Sequence, residues 1–260
     1  MGDQPSGHDI GERLFVPGHS VVHRLPAHLK VLTALLTVLV IVLTPPQPPW
    51  VFGGYALLLV IAFRVAGIGL RTVAPRLLIE IPFVVFALLL PVVGQGPDVS
   101  VGPLELSEAG LWAAWNILAK ATLGLGVSVL LGATTSTRDL IAGLQRLRVP
   151  DVLVQIFASM VRYVHVVTGE WARMSRARAA RGFQASGPRS WPVVAQGLGT
   201  LFVRSYERGE RVHLAMVSRG YAGRLPELAA TGTTTRDWLA AAALPIAAAA
   251  LALVSWGWGR

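Results

Sequence analysis

Cysteine is absent from this 260-residue chain, so it can hold no disulfide and no thiolate metal or nucleophile site. Charge is scarce as well. Asp, Glu, Lys and Arg make up 14% of the residues, where soluble domains carry about 25%, while 53% are hydrophobic. Much of the chain is therefore expected in lipid. Lysine is nearly missing: only Lys30 and Lys120 occur, after Leu29 and Ala119. Neither stands in the Gly-Lys-Ser/Thr setting that cradles phosphates, which excludes a P-loop. Ser136, Ser159 and Ser205 lack a His/Asp setting for nucleophilic catalysis. No catalytic residue, cofactor or metal ligand is assigned, and the chain is not expected to hydrolyse ATP. A secretory signal is not visible either, because residues 1–28 are polar and the first apolar run leads into "TPPQPP", which is no cleavage site.

What the chain does have is apolar runs and one basic block. The runs cover residues 29–43, 50–63, 77–93 and 111–133, and a fifth covers 236–259. A full span needs about 20 residues, so the first two are short unless they borrow flanking residues or meet a thinner bilayer. The net charge is +9, and residues 136–227 hold 14 Arg against 6 Asp and Glu. The loops alternate. "TPPQPPW" is uncharged, residues 64–76 carry Arg64, Arg71 and Arg76, and residues 94–110 carry only Asp98, Glu105 and Glu108. Cationic loops belong on the cytoplasmic side. The expected architecture is an all-α polytopic membrane protein with about five transmembrane helices. A cytoplasmic segment at 1–28 leads into a membrane domain at 29–135, followed by a cytoplasmic helical domain at 136–228 and the final span. The expected location is the plasma membrane.

The basic block reads as helices. "TRDLIAGLQRLRV" is expected to run up to Pro150, a stop signal for the preceding residue. From Asp151, read as the cap, a helix reaches Arg181, roughly 45 Å away. Arg162 inside its apolar half argues for an amphipathic helix against the membrane rather than a span. After a break at "GFQASGPRS", the segment from Trp191 repeats the design and stops at Gly220. Both segments end alike, in "AARGF" and "VSRGY". Glycine reaches the positive φ that terminates a helix, and a cation suits the last turn. Such a stop also holds the preceding arginine at a helix tip, where it can enter a partner's groove.

"RSYERGERVHLAMVSRGY", "MSRARAARGF", "LQRLRVPDVL" with "VRY", and "PGHSVVHRLPAHLK" together resemble the transmembrane T component of energy-coupling factor (ECF) transporters. The resemblance is to the CbiQ-type subunit of cobalt or nickel uptake, over about residues 17–226. It implies a membrane domain with a cytoplasmic domain of long helices, whose coupling motifs are Ala180, Arg181 and Gly182, and Ser218, Arg219 and Gly220. It implies partners too: two ATP-binding cassette ATPase subunits docking on those motifs, and a substrate-binding membrane subunit that holds the metal.

Other features are weighed beside it. His19 and His23 are spaced i, i+4 with His8 and His28 nearby, but "PGHS" reads as a loop, so His23 is expected at the mouth of the first span rather than on a metal. Lys120 and Glu80 fall inside apolar runs, where ionisable groups are functional by default; a structural role, as a snorkelling lysine or a Lys120–Glu80 pair, is the favoured reading. "GLGVSVLLGA" and the alanine-rich last run read as close helix packing. Rival readings are a T component for a vitamin, a membrane-anchored nucleic-acid binder using the arginines on phosphates, and an intramembrane enzyme. The block lacks a nucleic-acid fold, and the last of these has only Lys120 and Glu80 to work with.

Overall fold

The computed structural model describes residues 15–46, 48–69, 75–76, 80–93, 98–101, 104–183, 187, 190–223 and 232–258. The chain forms two compact units, one of Glu12–Gly143 with Ala230–Arg260, the other built on Leu144–Ala229.

In the first unit, helices α1 (Val21–Arg24), α2 (Ala27–Leu43), α3 (Trp50–Ala66) and α4 (Ile81–Val93) are followed by strands β1 (Asp98–Val101) and β2 (Leu104–Ser107). Next come α5 (Glu108–Thr134), α6 (Thr137–Arg146), whose residues from Leu144 onward belong to the second unit, and, after that unit, α9 (Thr235–Trp258). Proline and glycine punctuate these helices. Pro26 and Pro49 precede α2 and α3, where a missing N–H costs nothing, and Gly67 ends α3 at φ 71°. Helix α5 packs against α4 and α2, and α9 against α2 and α3. The core is two clusters, Ile41, Val51, Phe52, Tyr55, Leu123, Val127 and Ala248 in one, Phe63, Ala66, Ile68, Val129, Leu130 and Ala133 in the other. Gly54 and Gly126 face Leu251 and Leu59 across helix contacts, and Gly110 lies against the Leu90–Pro91 backbone. Such close approach is how helices associate where the solvent is itself apolar. Outward faces stay apolar, with Leu35, Leu57, Phe86 and Ile246 all exposed, as expected of a protein dissolved in lipid. By length and composition α5 and α9 are each long enough to cross a membrane, while α2, α3 and α4 are shorter apolar helices.

Two details of this unit differ from the sequence reading, and one part of it lies outside the described residues. Residues 94–110, read as a loop, contain an antiparallel pair of strands with Asp98 opposite Ser107 and Val101 opposite Leu104; among the described residues the fold is otherwise all-α. Helix α4 is described from Ile81, and residues 77–79 of that run lie outside the described residues. Helix α6 stops at Arg146, short of Pro150. Its stop is a turn in which Val149 N–H reaches the Leu144 carbonyl at 3.3 Å and Arg148 N–H the Gln145 carbonyl at 3.1 Å, with Arg148 itself at φ 56°. That turn ordinarily takes glycine, so nothing in the sequence announces it. At its start, Ser136 Oγ accepts from Asp139 N–H, an N-cap, and donates to the Asp139 carboxylate.

The second unit consists of α7 (Asp151–Ala180) and α8 (Trp191–Val217). Pro150 is the residue before α7, and Asp151 is its first helical residue rather than its cap. By length and composition α7 also qualifies as a span. Across the pair, Gln155 meets Tyr221, Glu170 meets Arg204 and Arg178 meets Val193. The partners run in opposite order along the sequence, so the two helices lie antiparallel.

Candidate functional site

The two Arg-Gly ends are the same structure built twice. At the end of α7, Gly182 N–H bonds the Ala179 carbonyl at 3.0 Å and Phe183 N–H the Arg178 carbonyl at 3.1 Å, with Gly182 at φ 80°. At the end of α8, Gly220 N–H bonds Val217 at 3.0 Å and Tyr221 N–H bonds Met216 at 3.0 Å, with Gly220 at φ 84°. Both are Schellman caps, in which a left-handed residue lets two N–H groups satisfy the helix's last carbonyls. Arg181 and Arg219 take the cap position in each, immediately before the glycine. Both are exposed, and among the described residues neither side chain has an ion pair or hydrogen bond. Ala180 and Ser218 are exposed beside them, the Ser218 hydroxyl donating to Ala215 at 3.0 Å.

The antiparallel pairing sets where these ends lie. Tyr221, two residues past Arg219, donates its hydroxyl to Gln155 near the start of α7 and meets the His213 ring edge-on at 6.4 Å between centroids. At 1.5 Å per residue, Gln155 and Arg181 are roughly 40 Å apart along α7. The two arginines therefore stand at opposite ends of the pair, each presented by the same backbone. Between them Glu170 accepts from Arg173 at 2.5 Å and from Arg204 on α8 at 2.6 Å, and these arginines, Arg173 first, hold its carboxyl below the usual carboxylate range.

An added Cβ at Gly182 or Gly220 would meet nothing within 4 Å, so the glycines serve the backbone and not the space. Gly182→Val is expected to cost about 1–2 kcal/mol at the cap. The readout is hydrogen exchange of the Phe183 amide in the full chain, faster by about 5–30-fold, with Gly182→Asn closer to the parent because asparagine tolerates this conformation. Unchanged Phe183 protection, or Asn as damaging as Val, would contradict it.

The intramembrane candidates do not pair. Glu80 is buried and accepts from Thr122 Oγ1 at 2.6 Å, whereas Lys120 Nζ donates to the Val42 carbonyl at 2.8 Å. Each is satisfied by a different group, so of the two structural alternatives the Lys120–Glu80 pair is not formed. His23 sits beside α2 with both ring nitrogens engaged, Nε2 donating to the Val16 carbonyl at 2.9 Å and Nδ1 accepting from Ser20 at 2.7 Å. His19 is exposed, and His8 lies outside the described residues. Among the described residues no His, Asp and Glu cluster could hold a metal.

Sequence reasoning overlooked Lys30, considering it only as a phosphate-binding lysine. It is 8% exposed, and its Nζ donates to the carbonyls of His23 at 3.0 Å and Thr134 at 2.7 Å. Thr134 ends α5 and His23 lies in the last turn of α1, so one ammonium ties two helix ends. A lysine within the first apolar run was the available signal.

A family model described as CbiQ, cobalt transport protein, matches residues 18–228. The "Cobalt transport protein CbiQ" of Rhodobacter capsulatus is 28% identical over 184 residues, 71% of this chain and 73% of that protein. The "Energy-coupling factor transporter transmembrane protein EcfT" of Thermosediminibacter oceani is 28% identical over 255 residues, 89% of this chain and 94% of that one. An uncharacterized protein of Methanocaldococcus jannaschii is 26% identical over 187 residues, 68% of this chain but only 63% of its own length.

Proposed function

This chain belongs to the CbiQ family of cobalt transport proteins and is a membrane T component of the ECF type, and from that membership we propose how it works. It transmits ATP-driven motion of two ATPase subunits to a substrate-binding membrane subunit, for uptake of cobalt or nickel. The carrying observation is the pair of matching caps at opposite ends of the α7–α8 pair, each presenting an exposed arginine. Two like sites roughly 40 Å apart suit two copies of one partner fold, one arginine to each. The chain itself does no chemistry in this reading; Arg181 and Arg219 with their flanking Ala180, Gly182, Ser218 and Gly220 are contact residues.

The proposed topology has five spans, α2, α3, α4, α5 and α9, with the N-terminus and the α7–α8 unit cytoplasmic. Helix α7 is apolar enough to span. However, it shares its length with α8, whose middle carries Arg204, Glu207, Arg208, Glu210 and Arg211. Such a helix in lipid would be costly, and paired helices share one environment. The exposed Ile156, Phe157 and Met160 of α7 and Leu198, Phe202 and Val203 of α8 are then surface for the substrate-binding subunit and for membrane lipid, since patches of this kind mark interaction sites.

The test is co-expression with an ECF ATPase pair and a metal-type substrate subunit, purification through this chain, and reconstitution into vesicles. A four-component complex taking up radiolabelled cobalt or nickel only with ATP is the expected result. A chain that purifies without ATPase subunits would defeat the proposal.

A further inference from the structure

Arg178 touches the first cap in two ways. Its carbonyl accepts the Phe183 N–H that closes the turn presenting Arg181. Its side chain leaves α7: the guanidinium stacks over the Trp171 ring, 4.7 Å from the centroid, and Nη1 donates to the Val193 carbonyl in the first turn of α8 at 3.3 Å. Gly197, one turn further along α8, is buried, and a Cβ there would run into this guanidinium. The space left by the missing side chain is what Arg178 occupies. A planar guanidinium lies flat on the ring while its edge N–H donates, a geometry the compact lysine ammonium does not reproduce.

The second cap is tied differently. Met216 holds the position equivalent to Arg178, and the link to the neighbouring helix passes through Tyr221 to Gln155. Between the two ties, a groove of about 440 Å³ lined by Tyr163, Val167, Ser205, Arg208 and Gly209 separates the helices. The ties at either end, together with the Glu170 bridge, therefore hold the pair in register.

We propose that Arg178, seated on Gly197, is the positioning residue of the Arg181 coupling site, fixing the end of α7 against α8 before any partner arrives. The inference rests on the coupling reading, because a positioned arginine matters only if a groove receives it. An end that is already ordered binds without the cost of ordering it.

The experiment uses the chain's lack of cysteine. Ala177→Cys and Ala215→Cys, both at exposed positions, take two spin labels in the full chain, and their distance distribution reports the end of α7 against α8. A narrow distribution is expected in the parent. Arg178→Ala and Gly197→Ala should each broaden it similarly, and the two together should broaden it no further, since either already unseats the guanidinium. Arg178→Lys should behave like Arg178→Ala. In the assembled complex these variants should bind the ATPase pair about 5–10-fold more weakly, the scale of one stacked, hydrogen-bonded guanidinium, with binding retained. An unchanged distribution in Arg178→Ala, or additive broadening in the double variant, would overturn the proposal whatever the ATPase does. Broadening combined with ATPase binding as tight as the parent's in the Arg181→Glu, Arg219→Glu double variant would instead overturn the coupling reading and leave Arg178 as the anchor of that helix end.

Discussion

Reversing both arginines, Arg181→Glu with Arg219→Glu, is expected to abolish co-purification with the ATPase pair and ATP-driven uptake together. Truncating one partner of a desolvated charge pair at an interface costs roughly 2–5 kcal/mol, about 30-fold or more in affinity, and reversal adds repulsion. Each single reversal should leave a detectable complex, because the other arginine remains docked and holds the partner at high effective concentration. The double variant has no such reserve. Folding is not expected to change, since both side chains are exposed and such surface substitutions usually stay within about 0.5 kcal/mol. The thermal melt of the isolated chain should therefore match the parent, which separates lost docking from lost structure. Unchanged assembly and uptake in the double variant would end the coupling reading. A fall in melting temperature matching the loss of binding would move these arginines from docking to stability.

The two caps were legible in the sequence because their chemistry is local. Only glycine reaches φ near 80° without strain, so "RGF" and "RGY" announce the ends of α7 and α8, with the last helical residue one position before Arg181 and two before Arg219. The apolar runs were legible for a similar reason: lipid imposes one composition over a whole helix. Where a local rule is broken, the reading failed. Helix α6 ends at Arg146 in a turn that holds Arg148 at φ 56°, a conformation the residue type does not advertise, so the sequence pattern runs on toward Pro150. Long-range pairing was not legible at all. Nothing in "EWARMSRARAARG" states that Glu170 meets Arg204, that Arg178 fills the space beside Gly197, or that Tyr221 returns to Gln155. A 3.6-residue period names the face of a helix and is silent about what lies against it.

The two lysines show the same limit and carry the last prediction. Position alone singled out Lys120, at the middle of its helix, yet it is half-buried and donates to one carbonyl. Lys30, near the start of α2, is the more deeply built in: its ammonium serves the carbonyls of His23 and Thr134. Helix-final carbonyls have no intrahelical partner, and a cation there also opposes the negative end of the dipole. The cavity of about 110 Å³ beside it is lined mostly by apolar side chains such as Val22, Ala34, Leu130 and Leu244, so little stands ready to replace the lost donor. Lys30→Met keeps the length and removes both bonds, and hydrogen bonds to charged groups contribute about 1.5–3 kcal/mol each. Allowing for overlap between the two, a loss of about 2–4 kcal/mol is expected, a drop of roughly 5–15 °C in the melting temperature of the detergent-solubilised chain. Lys120→Met should lose less than half of that, and Lys30→Arg should recover part of it. Equal melting of Lys30→Met and the parent would show that the two helix ends hold without their tie, and a larger loss at Lys120 would restore the ranking that position alone suggested.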